Sequence, residues 1–242
     1  MTIKDATATA AIPAMIETSA LADVLDQLGF PNQVVARSIV AMTPANSFSG
    51  TAACVAFSPL DGGVSATASP NDDFSSIDAL ARDGVVLVLH VESAIAGAVM
   101  GGFMGREYKR RGAAAAITNG VVRDVTELGT LGLPVFASGA CPTNGARRLK
   151  VKAVGTSVVL PGVDNAGVAV ASGDFIVGDS DGIVVIPGDI AAEVIQAAIR
   201  VSEVERLVRL LMDAGVPRIE ALAAHDRFGH VSSLRERLAR AR

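Results

Sequence analysis

The residues of this chain best suited to chemistry are an adjacent arginine and aspartate, Arg123 and Asp124, which follow a strand-like run. A carboxylate such as that of Asp124 is a hard oxygen ligand of the kind that Mg²⁺ or Mn²⁺ prefers. The planar guanidinium of Arg123 can hold a carboxylate or an enolate oxygen through paired hydrogen bonds. Most such pairs are solvated surface charge, so the dipeptide alone predicts little about function.

A glycine-rich segment, Met100-Gly101-Gly102-Phe103-Met104-Gly105, precedes that pair. Glycines allow the backbone to approach a ligand closely, and free amides in such loops and at helix N-termini bind anions. We therefore expect Gly101, Gly102, Phe103 and Met104 to bind the acidic end of a small substrate. A tight turn without a ligand is the simpler alternative.

The elements around these residues alternate between helices and short apolar strands. Periodicity and stop signals predict an amphipathic helix at 15–29, a buried strand at 84–91 and a glycine loop that runs into a helix over 94–111. Further strands are predicted at 114–122, 134–137, 151–160, 167–171 and 183–186, and a long helix at 190–212. The pattern predicts one α/β domain in which the strand at 114–122 ends at the Arg–Asp pair.

Composition indicates a soluble enzyme domain. The 242 residues can bury a substantial core, which must be aliphatic because the chain has one Tyr, eight Phe and no Trp. A net charge of −4 argues against nucleic acid as a partner, and the apolar stretches are too short to span a membrane. The start does not resemble a signal peptide, and Cys54 and Cys141 match no metal-ligand spacing. We expect a cytoplasmic protein with reduced thiols.

Several other motifs occur together with the glycine loop and the Arg–Asp pair. They are Ala22-Asp23-Val24-Leu25, Phe48-Ser49-Gly50-Thr51-Ala52, Pro134-Val135-Phe136-Ala137 and the block 173–187, GDFIVGDSDGIVVIP. In this order they resemble the RraA-like family, which includes the 4-hydroxy-4-methyl-2-oxoglutarate aldolases, over roughly residues 18–215. The resemblance implies a layered β/β/α fold of the swivelling-domain type at 1–217. The remainder, 218–242, is charged and helix-prone, and we expect a C-terminal helical extension that packs on a neighbouring subunit.

The resemblance also implies an activity, that of a class II, divalent-metal-dependent carbon–carbon lyase. In the family Mg²⁺ or Mn²⁺ sits on the Asp of the pair, here Asp124, and Arg123 contacts the oxygen that becomes a pyruvate enolate. The amides of Phe103 and Met104 would hold the substrate carboxylate. The expected reactions are retro-aldol cleavage of a 4-hydroxy-2-oxo acid and decarboxylation of oxaloacetate. Family members are trimers or hexamers, so we expect a homo-oligomer.

One departure from the family pattern concerns an acid that helps to order water on the metal and to move the proton of the 4-hydroxyl. The aldolases carry this acid just after the loop glycine, at the position that is Gly102 here. Its absence puts retro-aldol cleavage in doubt, because that step removes a hydroxyl proton, whereas decarboxylation does not. Glu107 or Glu92 could supply a carboxylate instead.

Two other positions have more than one interpretation. In the family an acid from the C-terminal helix of a neighbouring subunit also orders metal-bound water, and Glu205 matches it best, with Glu203 second. The simpler alternative is a solvated helix face with an ion pair between Glu205 and Arg209. Asn119 stands where the family often has Asp, and it either shapes the turn or contacts the substrate.

Alternatives to this function also remain. A Schiff-base aldolase needs a desolvated lysine, but the four lysines of this chain have polar surroundings. Asp174, Asp179 and Asp181 resemble metal ligands by composition, yet their glycine-flanked spacing favours turns. A non-catalytic protein of the same fold, similar to the RraA regulator that binds and restrains a ribonuclease, is the alternative from another class. A related lyase acting on a different substrate is a third possibility.

Overall fold

An eight-stranded sheet organises the chain in the computed structural model, which describes residues 16–60, 64, 71–93, 97–164 and 166–241. The strands within these ranges are β1 (Val40–Ala41), β2 (Phe48–Pro59), β3 (Val85–Val91), β4 (Ala115–Thr118), β5 (Val121–Val122), β6 (Val135–Ala137), β7 (Gly139–Ala140), β8 (Leu149–Val154), β9 (Ser157–Pro161), β10 (Gly167–Ala171), β11 (Phe175–Gly178) and β12 (Ile183–Ile186). The helices are α1 (Thr18–Leu28), α2 (Asn71–Asp78), α3 (Gly102–Arg110), α4 (Val125–Thr130), α5 (Ala191–Asp213), α6 (Arg218–Ala223) and α7 (Gly229–Ala241), with a 3₁₀ turn at Gly145–Arg147.

The order of strands in the sheet is β1-β6-β4-β3-β2-β11-β12, and β8 adds to the long strand β2. Strands β2, β3, β4 and β6 pair in parallel, while β1, β8, β11 and β12 pair antiparallel with their neighbours. Parallel strands end at the same edge of a sheet, and loops at that edge usually carry the ligand sites. The glycine loop follows β3 and the Arg–Asp pair follows β4 and β5, so both leave the same edge.

Strand β3 shows why the fold has three layers. Its residues are almost all apolar, and side chains of a strand alternate between the two faces. Leu87 and Leu89 join a core with the helices α2, α3 and α4, whereas Val86 and Val88 join a core with the hairpin β9–β10 on the other face. The layered β/β/α domain expected from the sequence is confirmed.

A third apolar cluster covers the other end of the sheet. Helices α1, α5 and α7 pack against β11 and β12 there, and Val231 and Leu234 of α7 are almost fully buried. The expectation that the extension packs on a neighbouring subunit is wrong for this face of α7, because it completes the core of its own chain. No helix of the described ranges is long and apolar enough to cross a membrane.

Two predicted strands are each divided into two. The run 114–122 forms β4 and β5, which are interrupted at Asn119 and Gly120, and the run 151–160 falls into β8 and β9. The second break occurs at Gly155, whose φ of +67° turns the chain in a conformation that glycine adopts without strain. The parts of the predictions that concern residues 1–15, 94–96 and 242 lie outside the described residues.

Candidate active site

The glycine loop and the Arg–Asp pair are held side by side by strand-like pairing. The amide of Val99 donates to the carbonyl of Val121 at 2.9 Å, and the amide of Arg123 donates to the carbonyl of Met100 at 3.1 Å. On the opposite side, β5 pairs in parallel with β7. Residues of distant sequence thus become neighbours through backbone hydrogen bonds, which fix the spacing of the site independently of its side chains.

Asp124 links the end of β5 to the helices α3 and α4. It is the only residue other than glycine with a positive φ (58°) in the part of the chain that the structure describes. This left-handed conformation is uncommon for side-chain-bearing residues, although Asp tolerates it better than most, and it is often found at functional sites. The conformation lets the Asp124 carbonyl accept from Leu128 at the start of α4, while Oδ2 accepts from the amide of Gly102 at 3.0 Å. The side chain remains 43% exposed, so the carboxylate can still bind an ion from solvent.

Arg123 lies beside this carboxylate, with Nε 3.4 Å from Oδ2 of Asp124. The close approach requires glycine at position 101. A Cβ atom there would lie 2.6 Å from Oδ2 of Asp124 and 3.0 Å from Nε of Arg123, distances at which a side chain does not fit. Gly101 therefore allows Arg123 and Asp124 to pack closely, and its backbone lies next to both charged groups without a side chain between them.

A cavity of about 500 Å³ opens in front of these groups. It is lined by Gly101, Gly102, Phe103, Met104 and Arg123, which are five of the residues expected at the site. The first amides of an α-helix have no partner within the helix, so the amides of Phe103 and Met104 at the start of α3 can donate to an anion.

Glu127 is a functional candidate that the sequence analysis missed. A Cβ atom built on Gly102 would lie 2.1 Å from Oε2 of Glu127, so this carboxylate occupies the space of a side chain at position 102. Arg106 holds the other oxygen at 2.6 Å. The sequence shows an acid in the first turn of the helix that follows Asp124, but it does not reveal the contact of Glu127 with Gly102.

Asn119 and Glu92 take other positions. The side-chain oxygen of Asn119 accepts from the amide of Val91 at 2.7 Å, and its nitrogen donates to the carbonyl of Val91 at 2.8 Å. Asn119 thereby joins the ends of β3 and β4, which is the turn-shaping role, and it does not line the cavity. Glu92 pairs with Lys152 at 2.5 Å and also lies outside the cavity lining.

Glu107 lines the cavity but is occupied by arginines of its own helix. Arg110 and Arg111 donate to its carboxylate at 2.5–2.8 Å. The hydrogen bonds from Arg110 and then Arg111 lower the pKa of Glu107 to about 2. A carboxylate that stays ionised in this way is a poor proton acceptor, which disfavours Glu107 as the missing acid.

The single chain does not bring Glu205 to the Arg–Asp pair. Its carboxylate forms an ion pair with Arg227, which also contacts Asp23 at 3.0 Å, and Arg209 lies 3.9 Å away on the next turn. This network joins α5 to α1 and to the segment before α7. The pair between Glu205 and Arg209 is thus present only as a distant contact, and the main partner of Glu205 within one chain is Arg227.

The acids of the block 173–187 have structural roles. Both oxygens of Asp174 accept backbone amides, from Ala171 at 2.8 Å and from Gly188 at 3.0 Å. Asp179 accepts from the amide and the hydroxyl of Thr18 at the start of α1. The bonds from Ala171 to Asp174 and from the amide of Asp181 to Asp179 are local turn contacts, whereas the bonds from Gly188 and Thr18 join segments that are more distant in the sequence.

A second cavity has a volume of about 530 Å³, and Val35, Arg37, Phe136 and Asp181 are among its lining residues. It contains neither member of the Arg–Asp pair. Across the described ranges, no group of three or more His, Cys, Asp or Glu side chains is arranged to hold a metal ion. The cavity in front of Arg123 therefore remains the candidate site.

Comparison with known proteins agrees with this fold. A family model described as RraA-like, Aldolase/RraA, matches residues 18–185. An uncharacterized protein of Methanocaldococcus jannaschii is 37% identical over 112 residues, which are 46% of this chain and only 51% of that relative. A protein of Xanthomonas campestris named "Putative 4-hydroxy-4-methyl-2-oxoglutarate aldolase" is 35% identical over 55% of this chain and 78% of its own length.

The fold is also similar to that of a solved structure. The structure of RraAS2 from Streptomyces coelicolor, described as an unusual member of the RNase ES inhibitor RraA protein family, superposes with a TM-score of 0.68. The match covers 81% of this chain and 93% of that protein at 24% identity, and it therefore bears on the fold alone. Because the family model spans more than half of the chain and the relatives agree with it, this chain belongs to the RraA-like family, Aldolase/RraA.

Proposed function

We propose that this chain is a divalent-metal-dependent lyase that cleaves a carbon–carbon bond of a small 2-oxo acid and releases pyruvate by way of its enolate. The observation that carries the proposal is the placement of Arg123 and Asp124 against the N-terminus of α3, where Arg123 lines a cavity of about 500 Å³. The names of relatives such as the Xanthomonas protein support lyase chemistry at the level of the family.

The charge distribution suits an enolate. When the bond between C3 and C4 of a 4-hydroxy-2-oxo acid breaks, its electron pair moves toward the 2-oxo oxygen, where negative charge develops. The guanidinium of Arg123 can donate to that oxygen, and the amides of Phe103 and Met104 can hold the adjacent carboxylate. Groups already positioned around the developing charge stabilise the transition state more than the substrate.

The residues present also fit a divalent cation. Mg²⁺ usually keeps several waters and is bound by one or two carboxylates, so it does not need a cluster of three acidic side chains. Asp124 would be its main ligand, because it is a partly exposed carboxylate beside the cavity. When bound, such an ion would supply further positive charge to the 2-oxo oxygen.

Glu127 is the residue that we propose in place of the missing acid at position 102. Its carboxylate lies where a side chain of residue 102 would begin, and Asp124 is one helical turn away. Glu127 does not itself line the cavity, so its carboxylate would accept the proton of the 4-hydroxyl through a water molecule. Retro-aldol activity is therefore expected in spite of Gly102.

Pyruvate release tests the proposed function. We expect 4-hydroxy-4-methyl-2-oxoglutarate or oxaloacetate to yield pyruvate, detected with lactate dehydrogenase, in the presence of Mg²⁺ or Mn²⁺, and we expect EDTA to abolish the signal. Readdition of excess metal is the control for an effect of EDTA on the coupling enzyme.

The other outcomes distinguish the alternatives. Pyruvate from oxaloacetate alone would leave the enolate chemistry in place and point to a different aldol substrate. If no 2-oxo acid yields pyruvate and the protein binds a ribonuclease, the lyase proposal would be contradicted and a regulator similar to RraA would be supported. Release of pyruvate that EDTA does not affect would contradict the metal dependence.

An exchange of carboxylates tests Glu127. Glu127→Ala should lower retro-aldol cleavage at least ~10-fold relative to oxaloacetate decarboxylation, because only the former needs a proton acceptor at this position. The double variant Gly102→Asp/Glu127→Ala should restore the ratio of the two rates, since removal of the Glu127 side chain frees the space that a Cβ atom at 102 requires. Both rates are measured on the same preparations.

The single variant Gly102→Asp is the internal control. Its new side chain must displace the Glu127 carboxylate, so it should not raise the retro-aldol rate above that of the parent. An unchanged ratio of the two rates in Glu127→Ala would show that another group accepts the proton.

The assembly and the role of Glu205 belong to the same proposal. We propose a homo-oligomer, a trimer or a hexamer, in the cytoplasm, in which Glu205 of a neighbouring subunit approaches the site. For that role Glu205 would have to act while it is paired with Arg227.

A further inference from the structure

The polar groups that line the candidate cavity are unevenly distributed by charge. Arg123 is the only cationic side chain among the described residues of the lining. Farther along the cavity the charged groups are the carboxylates of Asp78 and Glu107, and the neighbouring polar residues are Ser75 and Asn144. One end of the cavity thus presents donors to an anion, and the other end presents mainly hydrogen-bond acceptors.

The distance between the two ends can be estimated from α3. Glu107 follows Gly102 by five residues on this helix, which corresponds to about 7.5 Å along the helix axis. A substrate whose carboxylate lies at the N-terminus of α3 would extend its C4 and C5 groups toward Glu107 and Asp78. The acceptors therefore face the part of the substrate that leaves with the aldehyde or ketone product.

The arginines near this end are held by Glu107. Arg110 and Arg111 donate to its carboxylate and offset its charge, and neither of them lines the cavity. Asp78 is therefore the main negative charge at this end of the described lining. A second carboxylate on the substrate would meet Asp78 and no cationic side chain of the described lining, which is unfavourable.

We infer that the substrate carries a single carboxylate, at its 2-oxo acid end, and an uncharged tail that bears hydroxyl groups. Hydroxyl hydrogens on C4 and C5 match the carboxylate of Asp78 as an acceptor, whereas a terminal carboxylate would meet this group of its own charge. The substrate class is thus that of a deoxy sugar acid with a 2-oxo group. This inference rests on the proposed function, and it sets this chain apart from an enzyme for 4-hydroxy-4-methyl-2-oxoglutarate.

The cleavage itself balances for such a substrate. For 4,5-dihydroxy-2-oxopentanoate, the bond between C3 and C4 breaks, the 4-hydroxyl loses its proton and C4 becomes the carbonyl carbon of glycolaldehyde. The electron pair forms the pyruvate enolate, which takes up one proton at C3 to give pyruvate. No oxidant or reductant is needed.

A matched pair of substrates tests the inference. The two compounds are 4,5-dihydroxy-2-oxopentanoate and 4-hydroxy-2-oxoglutarate, which differ only in a hydroxymethyl group against a carboxylate at the tail. We expect the kcat/KM for pyruvate release with Mn²⁺ to be at least ~10-fold higher for the dihydroxy acid. Titration calorimetry with the Mn²⁺-loaded protein measures binding of both acids independently of turnover, and the dihydroxy acid should bind more tightly.

The variant Asp78→Asn removes one of the two tail-facing charges. It should shift the ratio of kcat/KM values about tenfold toward 4-hydroxy-2-oxoglutarate, because a like charge a few ångström away disfavours a carboxylate by an amount of this order. Asp213→Asn, an exposed aspartate at the end of α5 that does not line the cavity, is the matched control and should leave the ratio unchanged.

The possible failures can be told apart. Preference for 4-hydroxy-2-oxoglutarate in rate and in binding would overturn the inference and leave the proposed lyase intact. It would point to a cation supplied by a neighbouring subunit. If neither acid is cleaved, the difference in calorimetric affinity still shows whether the site prefers a charged or an uncharged tail. An absence of both cleavage and binding would overturn the inference together with the proposed function.

Discussion

Replacement of Asp124 by asparagine is expected to lower metal-dependent pyruvate release by at least ~10²-fold. Loss of one charged group that faces the developing charge typically reduces the rate by ~10²–10³. Asparagine has the same shape, tolerates the left-handed conformation (φ 58°) and retains an oxygen that can accept from the amide of Gly102. The variant therefore removes the charge of the carboxylate while it preserves the turn between β5 and α4.

Asp124→Ala should be equally inactive but less stable. Alanine in this conformation costs roughly 1–2 kcal/mol, and the hydrogen bond to Gly102 is lost as well. Mn²⁺ affinity, measured by electron paramagnetic resonance, and the melting temperature would separate the two effects. Asn should weaken Mn²⁺ binding with little change in melting temperature, and Ala should lower both. The control Asp213→Asn should change neither.

Retention of metal-dependent activity in Asp124→Asn would exclude Asp124 as the main ligand. Full activity without metal in Asp124→Ala would contradict the whole proposed mechanism. Because the Mn²⁺ measurement does not depend on the substrate, it also tests the site if the natural substrate differs from the acids used.

Some of this site could be predicted from the sequence because the relevant signals are local. The glycines at 101 and 102, the start of a helix and the Arg–Asp pair after an apolar strand are each visible within a few residues. Parallel strands bring the loops that follow them to one edge, so the meeting of the glycine loop with Arg123 follows from the order of elements. The positive φ of Asp124 has no such signal, since it results from pairing on both sides of β5.

The role of Glu127 could not be predicted because it depends on a contact between segments 25 residues apart. In the sequence, Gly102 reads as the loss of an acid, and only the structure shows that a carboxylate from α4 fills the same space. The same reasoning applies to Asn119, whose side chain replaces a backbone pairing with Val91. A sequence pattern indicates which groups exist, but the space left by a glycine is a property of packing.

The C-terminal extension is more buried than its sequence indicates. Its charged sequence indicates an exposed helix, yet only a few apolar residues are needed to attach it, and Val231 and Leu234 are almost fully buried. The partners of these residues are apolar positions of α1 and α5 far away in the sequence. Nothing in the charged sequence identified the surface that covers this face of α7.

Arg123→Ala is expected to lower kcat/KM for pyruvate release by ~10²–10³-fold, and kcat by a similar factor. The two constants fall together when an interaction forms mainly in the transition state, which is expected for a guanidinium that faces an oxygen gaining charge. Arg123→Lys keeps the positive charge but loses the planar fork of donors, so it should recover only part of the activity. Steady-state kinetics with Mn²⁺ at saturation would measure both.

The alternative for Arg123 is an electrostatic role in the fold, since Nε lies 3.4 Å from Oδ2 of Asp124. The pair is partly exposed, and exposed pairs contribute about 0–1 kcal/mol, so the loss of Arg123 should change the melting temperature little. Arg206→Ala, which removes an exposed arginine of α5, is the matched control and should have the activity of the parent. A kcat that stays within a few fold of the parent in Arg123→Ala, with only KM raised, would assign this arginine to ground-state binding of the carboxylate. The stabilisation of the enolate would then have to come from Asp124 with its cation and from the amides at the start of α3, because Arg123 is the only cationic side chain that the described lining of the cavity contains.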